Sequence, residues 1–154
     1  MGKGLDELEV LAEAQQIADE LWGREMTWDG LPREVVGLQL ARAVDSVGAN
    51  IAEAFGRFHY ADKVRFLYYA RGSLFETLYR IGRARSRGLL PRELVEDLDD
   101  RLDLVARQLN AFVRNLKSQS RSLRDLPAQR YLAGDIPFIR AIIPDEDVDP
   151  VGEV

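Results

Sequence analysis

The sequence predicts an all-α fold, an up-and-down antiparallel four-helix bundle with an irregular C-terminal tail, assigned to residues 1–118 and 119–154. Three observations carry that prediction. Apolar residues recur at spacings of three and four through four long stretches, glycine and proline gather at the joints between them, and 154 residues with 46% hydrophobic and 31% charged content suit one soluble domain.

The first stretch, about residues 5–25, puts Leu8, Leu11, Ala18 and Trp22 on one face, which Val10, Ile17 and Leu21 widen to about half the circumference. One neighbour covers less than that, so burial on two sides is expected. "TWDGLPRE" then supplies a turn, with Gly30 as breaker and Pro32 suited to a helix's first turn. The second helix, about residues 32–57, aims Val36, Leu40, Val44, Val47, Ile51 and Phe55 at the core. Gly37, Ala41, Gly48 and Ala52 form a row of small residues beside that stripe. Glycine costs about 1 kcal/mol in a helix interior, so a closely approaching neighbour is expected at Gly48.

The third helix, about residues 60–86, carries Val64, Leu67, Tyr68, Leu74, Phe75, Leu78 and Ile81, and Gly88 ends it. The fourth, about residues 91–118, has the most regular stripe, from Leu94, Val95 and Leu98 through Leu102, Val105 and Leu109 to Phe112, Val113 and Leu116. Its opposite face bears Asp103 and Arg107, a solvated i,i+4 pair. Beyond Ser118 the periodicity fails. The remainder has four prolines, an apolar island "IPFIRAII" suited to docking on the bundle or a second subunit, and an acidic finish expected to be disordered.

Charge is segregated along the chain. Residues 1–53 hold 4 Lys/Arg against 11 Asp/Glu, residues 54–92 hold 9 against 2, and residues 142–154 hold 5 acids and no base, within a total of −5. The absence of cysteine excludes disulfides, thiolate metal sites and a cysteine nucleophile. No apolar run reaches membrane-spanning length, and "MGKGLDELEV" lacks a hydrophobic signal core, so the expected setting is the cytoplasm with no membrane partner.

Two polar features interrupt the apolar pattern. On a helical wheel Ser46, Asn50, Glu53 and Arg57 share one edge of the second helix, within roughly 60° of one another. Arg71 falls amid Val64, Leu67, Phe75 and Leu78 on the third. A guanidinium keeps its charge, and buried there it needs an acceptor from a neighbouring helix. The expected arrangement is a structural polar network of Ser46, Asn50, Glu53, Arg57 and Arg71, with an Arg71–Glu53 contact fixing helix register. A ligand or catalytic site built from Asn50, Glu53, Arg57 and Arg71 is the sharper alternative.

The stretches "GLQLARAVDSVGANIAEAFGR" and "VRFLYYARGSLFETL" resemble the four-helix-bundle family encoded within 23S rRNA intervening sequences. The matching residues are Gln39, Leu40, Arg42, Ala43, Ser46, Asn50, Ile51, Ala52, Glu53, Gly56 and Arg57, then Arg65, Phe66, Leu67, Ala70, Arg71, Gly72, Ser73 and Glu76. Ala41 departs from a usual arginine, Gly48 from a common proline and Ala54 from a usual glycine. The resemblance implies a ring-like homo-oligomer, with a pentamer as the expected number, like the related accessory proteins of diversity-generating retroelements. It implies no enzymatic activity, and the location of the family's genes suggests an RNA- or ribosome-linked role.

Three functions fit these residues to different degrees. The leading one is a non-enzymatic homo-oligomeric scaffold or interaction protein, with a protein partner. The alternative is RNA or DNA binding through a basic patch of Arg57, Lys63, Arg65, Arg80, Arg83, Arg85, Arg87 and Arg92, among which Tyr60, Tyr69 and Tyr79 are placed to stack on bases. Catalysis is the least supported. His59 is the only histidine, phosphate-binding glycine loops and a nucleophile elbow are missing, and neither a metal nor a cofactor is expected.

Overall fold

The computed structural model describes residues 8–124, and these form an all-α four-helix bundle. Helix α1 spans Glu9–Glu25, α2 Leu38–Gly56, α3 Tyr60–Ser86 and α4 Arg92–Arg124, with a π-helical turn, Pro32–Gly37, leading directly into α2. Each helix packs on its sequence neighbours, and α1 also meets α4, which closes the bundle. The apolar island and acidic finish of the tail lie outside the described residues. Helix α4 continues to Arg124, six residues past Ser118, because no helix breaker intervenes before Pro127.

The core is built from the stripes that the periodicity marks. Ile17 and Leu21 of α1, Leu40, Val47 and Ile51 of α2, Leu67, Leu74 and Ile81 of α3, and Leu98, Leu102, Val105 and Leu109 of α4 are essentially inaccessible to solvent. Each such side chain contributes about 1.5–3 kcal/mol through removal of apolar surface from water. Thr77 is buried among them without penalty, because its hydroxyl donates to the Ser73 carbonyl one turn back at 2.8 Å. No helix among the described residues is long and apolar enough to cross a membrane.

The end of α3 shows how local chemistry stops a helix. Gly88 takes φ +72°, its N–H donates to the Arg85 carbonyl at 2.9 Å, and the N–H of Leu89 reaches back to Ala84 at 3.0 Å. This paired closure satisfies carbonyls that the last turn would leave free, and glycine enters that backbone region without a Cβ penalty. Pro91 follows, and α4 begins at Arg92.

Three expectations need correction. Trp22 does not share the buried face of α1; it is 56% exposed, while Val10, Leu11, Ala14, Ile17 and Leu21 point inward. Helix α1 does pack on two sides, against α2 and against α4, with Trp22 left outside its buried set. Tyr68 and Phe75, placed with the core of α3, are about half exposed. Gly48 is not pressed by a backbone either: a Cβ there would sit 3.6 Å from Leu11 Cδ1, an ordinary contact. The small-residue row instead opens one wall of a groove of about 290 Å³ between α1 and α2, lined by Leu11, Ala14, Ala18, Val44, Gly48 and Ala52 among others.

Where α1 gives way to the π-helical turn, Glu25 is only 4% exposed and its Oε1 is buried without a hydrogen-bond partner. Its side chain packs beside Gly37 and Trp28. Burial, and secondarily the negative charge of Asp45, push its carboxyl up to about 7 from an ordinary 4.5. The unfolded chain ionises this group near 4.5, so the native state holds the extra proton between 4.5 and about 7, and stability falls as pH rises through that window. Replacing Glu25 by Gln should remove that fall and leave the variant more stable than the parent at pH 8, by about 1–3 kcal/mol. Urea melts at pH 4.5 and pH 8 check this, and identical pH dependence in the two proteins would contradict it.

Candidate interaction surface

The hydrogen bonds of the polar edge of α2 stay within its own helix. Ser46 donates to the Arg42 carbonyl at 2.7 Å, Asn50 donates through Nδ2 to the Ser46 carbonyl at 2.8 Å, and Arg57 pairs with Glu53. Arg57 also lies over the Phe66 ring of α3, 4.6 Å from its centroid. Glu53 and Arg57, with Ala52, Gly56, Phe58, His59 and Asp62, line an open cleft of about 420 Å³ at the α2–α3 turn. Among the described residues no cluster of three or more His, Asp or Glu is arranged to hold a metal.

Arg71 overturns the expected register lock. It is exposed, it stacks on the exposed ring of Phe75 with its guanidinium 4.8 Å from the centroid, and it makes no contact with Glu53, whose partner is Arg57. The physical reason lies in which residues of α3 are buried. They are Leu67, Ala70, Leu74, Thr77, Ile81 and Ala84, a row that alternates large and small side chains and centres roughly 90° from Arg71. The large apolar residues Tyr68 and Phe75 draw a helical wheel of α3 too far toward their own side, whereas the small residues Ala70, Thr77 and Ala84 mark the buried one.

The ionic contact that does join distant helices is elsewhere. Arg101 of α4 donates through Nε to Glu13 at 2.6 Å and through Nη1 to Glu20 at 2.7 Å, both on α1, with Asp97 of its own helix at 3.3 Å. The Arg101 side chain is mostly buried, and its carboxylate partners hold its protonated form still more firmly than usual, the bond to Glu13 first. Reading the sequence missed this triad. The signal was present: Glu13 and Glu20 are seven residues apart on one flank of α1, and Arg101 adjoins the stripe residue Leu102.

The candidate basic patch divides into two regions. Arg57, Lys63 and Arg65 sit at the α2–α3 turn, whereas Arg83, Arg85, Arg87 and Arg92 lie roughly 30 Å away at the other end of α3. Several of these charges are already engaged. Arg57 pairs with Glu53, Arg65 with Asp62, Arg80 with Glu76 and Arg92 with Glu96. Lys63 donates to the Phe55 carbonyl at 3.1 Å, and burial lowers its pKa. Arg83, Arg85 and Arg87 make no ion pair within 4.0 Å among the described residues. Tyr60 is half-buried, while Tyr69 and Tyr79 are exposed.

What α3 presents to solvent is a seam. Tyr68, Phe75 and Tyr79 fall within an arc of roughly 40°, each about half exposed or more, with Tyr79 at 62%. Gly72 and Gly82 interleave with them, and a Cβ at either position would meet nothing within 4 Å. Cations edge the rings: Arg71 over Phe75, Arg80 5.7 Å from the Tyr79 centroid, and Lys117 of α4 5.4 Å from that of Tyr68, while donating to its hydroxyl at 2.9 Å.

A family model described as 23S rRNA-intervening sequence protein matches residues 6–111. Comparison with curated proteins gives no match. The crystal structure of a protein with unknown function from the S23 ribosomal protein family of Bacteroides thetaiotaomicron VPI-5482 matches with a TM-score of 0.61 at 23% identity, covering 68% of this chain and 97% of that one. At that identity the likeness speaks for the fold.

The two arginines should separate in a urea titration. Arg101→Met leaves Glu13 and Glu20 facing each other part-buried and should cost about 1–3 kcal/mol. Arg71→Ala removes only a solvated cation and should stay within about 0.5 kcal/mol of the parent. A reversed order would mean that the register is held through α3 after all.

Proposed function

The chain belongs to the 23S rRNA-intervening sequence protein family, and from that premise we propose that it is a non-enzymatic, homo-oligomeric helical-bundle scaffold of the cytoplasm, assembled through α3. The observation that carries this reading is the exposed Tyr68–Gly72–Phe75–Tyr79–Gly82 seam. Its spacing of four, three, four and three is the repeat of a helix that packs lengthwise on a partner helix. Two interior glycines with open space around them weaken α3 by about 1 kcal/mol each in the isolated chain, a cost that a closely packed neighbour offsets. A ring is the expected form, with a pentamer as the number implied by the family resemblance.

A second apolar surface suits a different protein partner. Trp22, Met26, Leu31, Val35 and Leu38 are all exposed around the α1–α2 connection, within the acidic first third of the chain. The RNA- or DNA-binding alternative rests on Arg83, Arg85 and Arg87, whose guanidiniums are unpaired among the described residues and suit phosphate contact.

Light scattering and sedimentation test the assembly reading. The chain should self-associate at micromolar concentration, and Phe75→Ser with Tyr79→Ser should weaken that association at least ~10-fold, since two half-buried aromatics contribute about 2 kcal/mol or more. Helical circular dichroism should be unchanged. A parent chain that stays monomeric at tens of micromolar overturns it. If the nucleic-acid reading holds instead, structured RNA binds with an affinity that falls steeply with salt and is lost in Arg83→Ala/Arg87→Ala.

A further inference from the structure

Residues 125–154 follow α4, and their composition matches the α3 seam in kind and in order. Helices α3 and α4 run antiparallel, and Lys117 of α4 reaches Tyr68 of α3, so the chain leaves α4 at Arg124 beside the beginning of α3. Along α3 from that end come the exposed rings of Tyr68, Phe75 and Tyr79, and then Arg83 and Arg87. Along the tail come first the apolar residues Ile136, Phe138, Ile139, Ile142 and Ile143, and then the acids Asp145, Glu146, Asp147 and Asp149.

We propose that residues 136–149 dock in cis along the exposed face of α3, apolar residues over Tyr68, Phe75 and Tyr79 and acids against Arg83 and Arg87. Assembly through this face then requires the tail to be displaced. The inference rests on reading that face as the assembly seam and adds its regulation.

Reach and charge both favour this occupant. The level of Tyr79 lies roughly 27 Å along the bundle from Arg124, and the twelve residues to Ile136 span up to about 40 Å when extended. A tail running in the direction of α3 brings greasy residues to the rings and carboxylates to the arginines at once. The opposite direction aims the acids at Arg65 and Lys63, which are already engaged with Asp62 and the Phe55 carbonyl. Arg85 is left out of the contact because it lies near Asp99 of α4, whose carboxyl its charge affects.

The absence of cysteine makes the test clean. In the full chain, Ile139→Cys is combined with Phe75→Cys and, as a control, with Leu104→Cys on the exposed surface of α4. Under mild oxidation at sub-micromolar concentration the Phe75 pair should form an intrachain disulfide about tenfold faster than the Leu104 pair, read by mass and non-reducing mobility. Gly72→Cys, in open space, replaces Phe75→Cys if the latter folds poorly. Asp145→Asn, Glu146→Gln, Asp147→Asn and Asp149→Asn together should slow the disulfide several-fold and tighten self-association several-fold. Equal rates for the two pairs, or disulfides only between copies, overturn the proposal. An intrachain disulfide in a chain that never self-associates sustains tail docking and removes the assembly reading, whereas equal rates in a chain that assembles through Phe75 remove tail docking alone.

Discussion

Helix α3 is held in one rotational setting by the row Leu67, Ala70, Leu74, Thr77, Ile81 and Ala84, and much of the molecular surface follows from that setting. Small residues at Ala70, Thr77 and Ala84 let neighbouring helices approach where larger ones would hold them off. The same row turns Tyr68, Phe75 and Tyr79 outward, with Arg71 beside them. A bundle of this size has enough core without those rings, since its fully buried residues come from all four helices. The rings are therefore free to form a surface, and the glycines between them leave that surface without competing bulk.

Charge plays a different part from the one its distribution along the chain suggests. The acidic first helix and the fourth are tied by Arg101, which faces Glu13 and Glu20 from a mostly buried position, while most other ion pairs are local i,i+3 or i,i+4 contacts in solvent. Exposed pairs of that kind contribute little, about 0–1 kcal/mol each. Glu25 works in the opposite sense, as a buried acid whose ionisation opposes folding. The body of α1 is thus pinned to α4 by a satisfied triad, and its C-terminal end contains a carboxyl that is best accommodated when neutral.

The number of helices, their joints and the greater part of the core follow from the sequence alone, because a 3.6-residue period, a proline at a first turn and a glycine past a last turn act through neighbouring residues only. Val44, Val47, Ile51, Leu98, Leu102 and Leu109 were legible for that reason. So were the turns at Gly30 and Gly88, both of which take positive φ. Which of two adjacent apolar arcs of α3 faces inward, which cation meets which anion, and how much of α1 remains uncovered were decided only by the tertiary structure. Those outcomes depend on the size and position of side chains from other helices, and a wheel drawn for one helix carries no information about them. Arg71 shows the difference: its neighbours in sequence are those of a buried residue, yet a rotation of about a quarter turn, set by alanines packed elsewhere on the helix, leaves it in water.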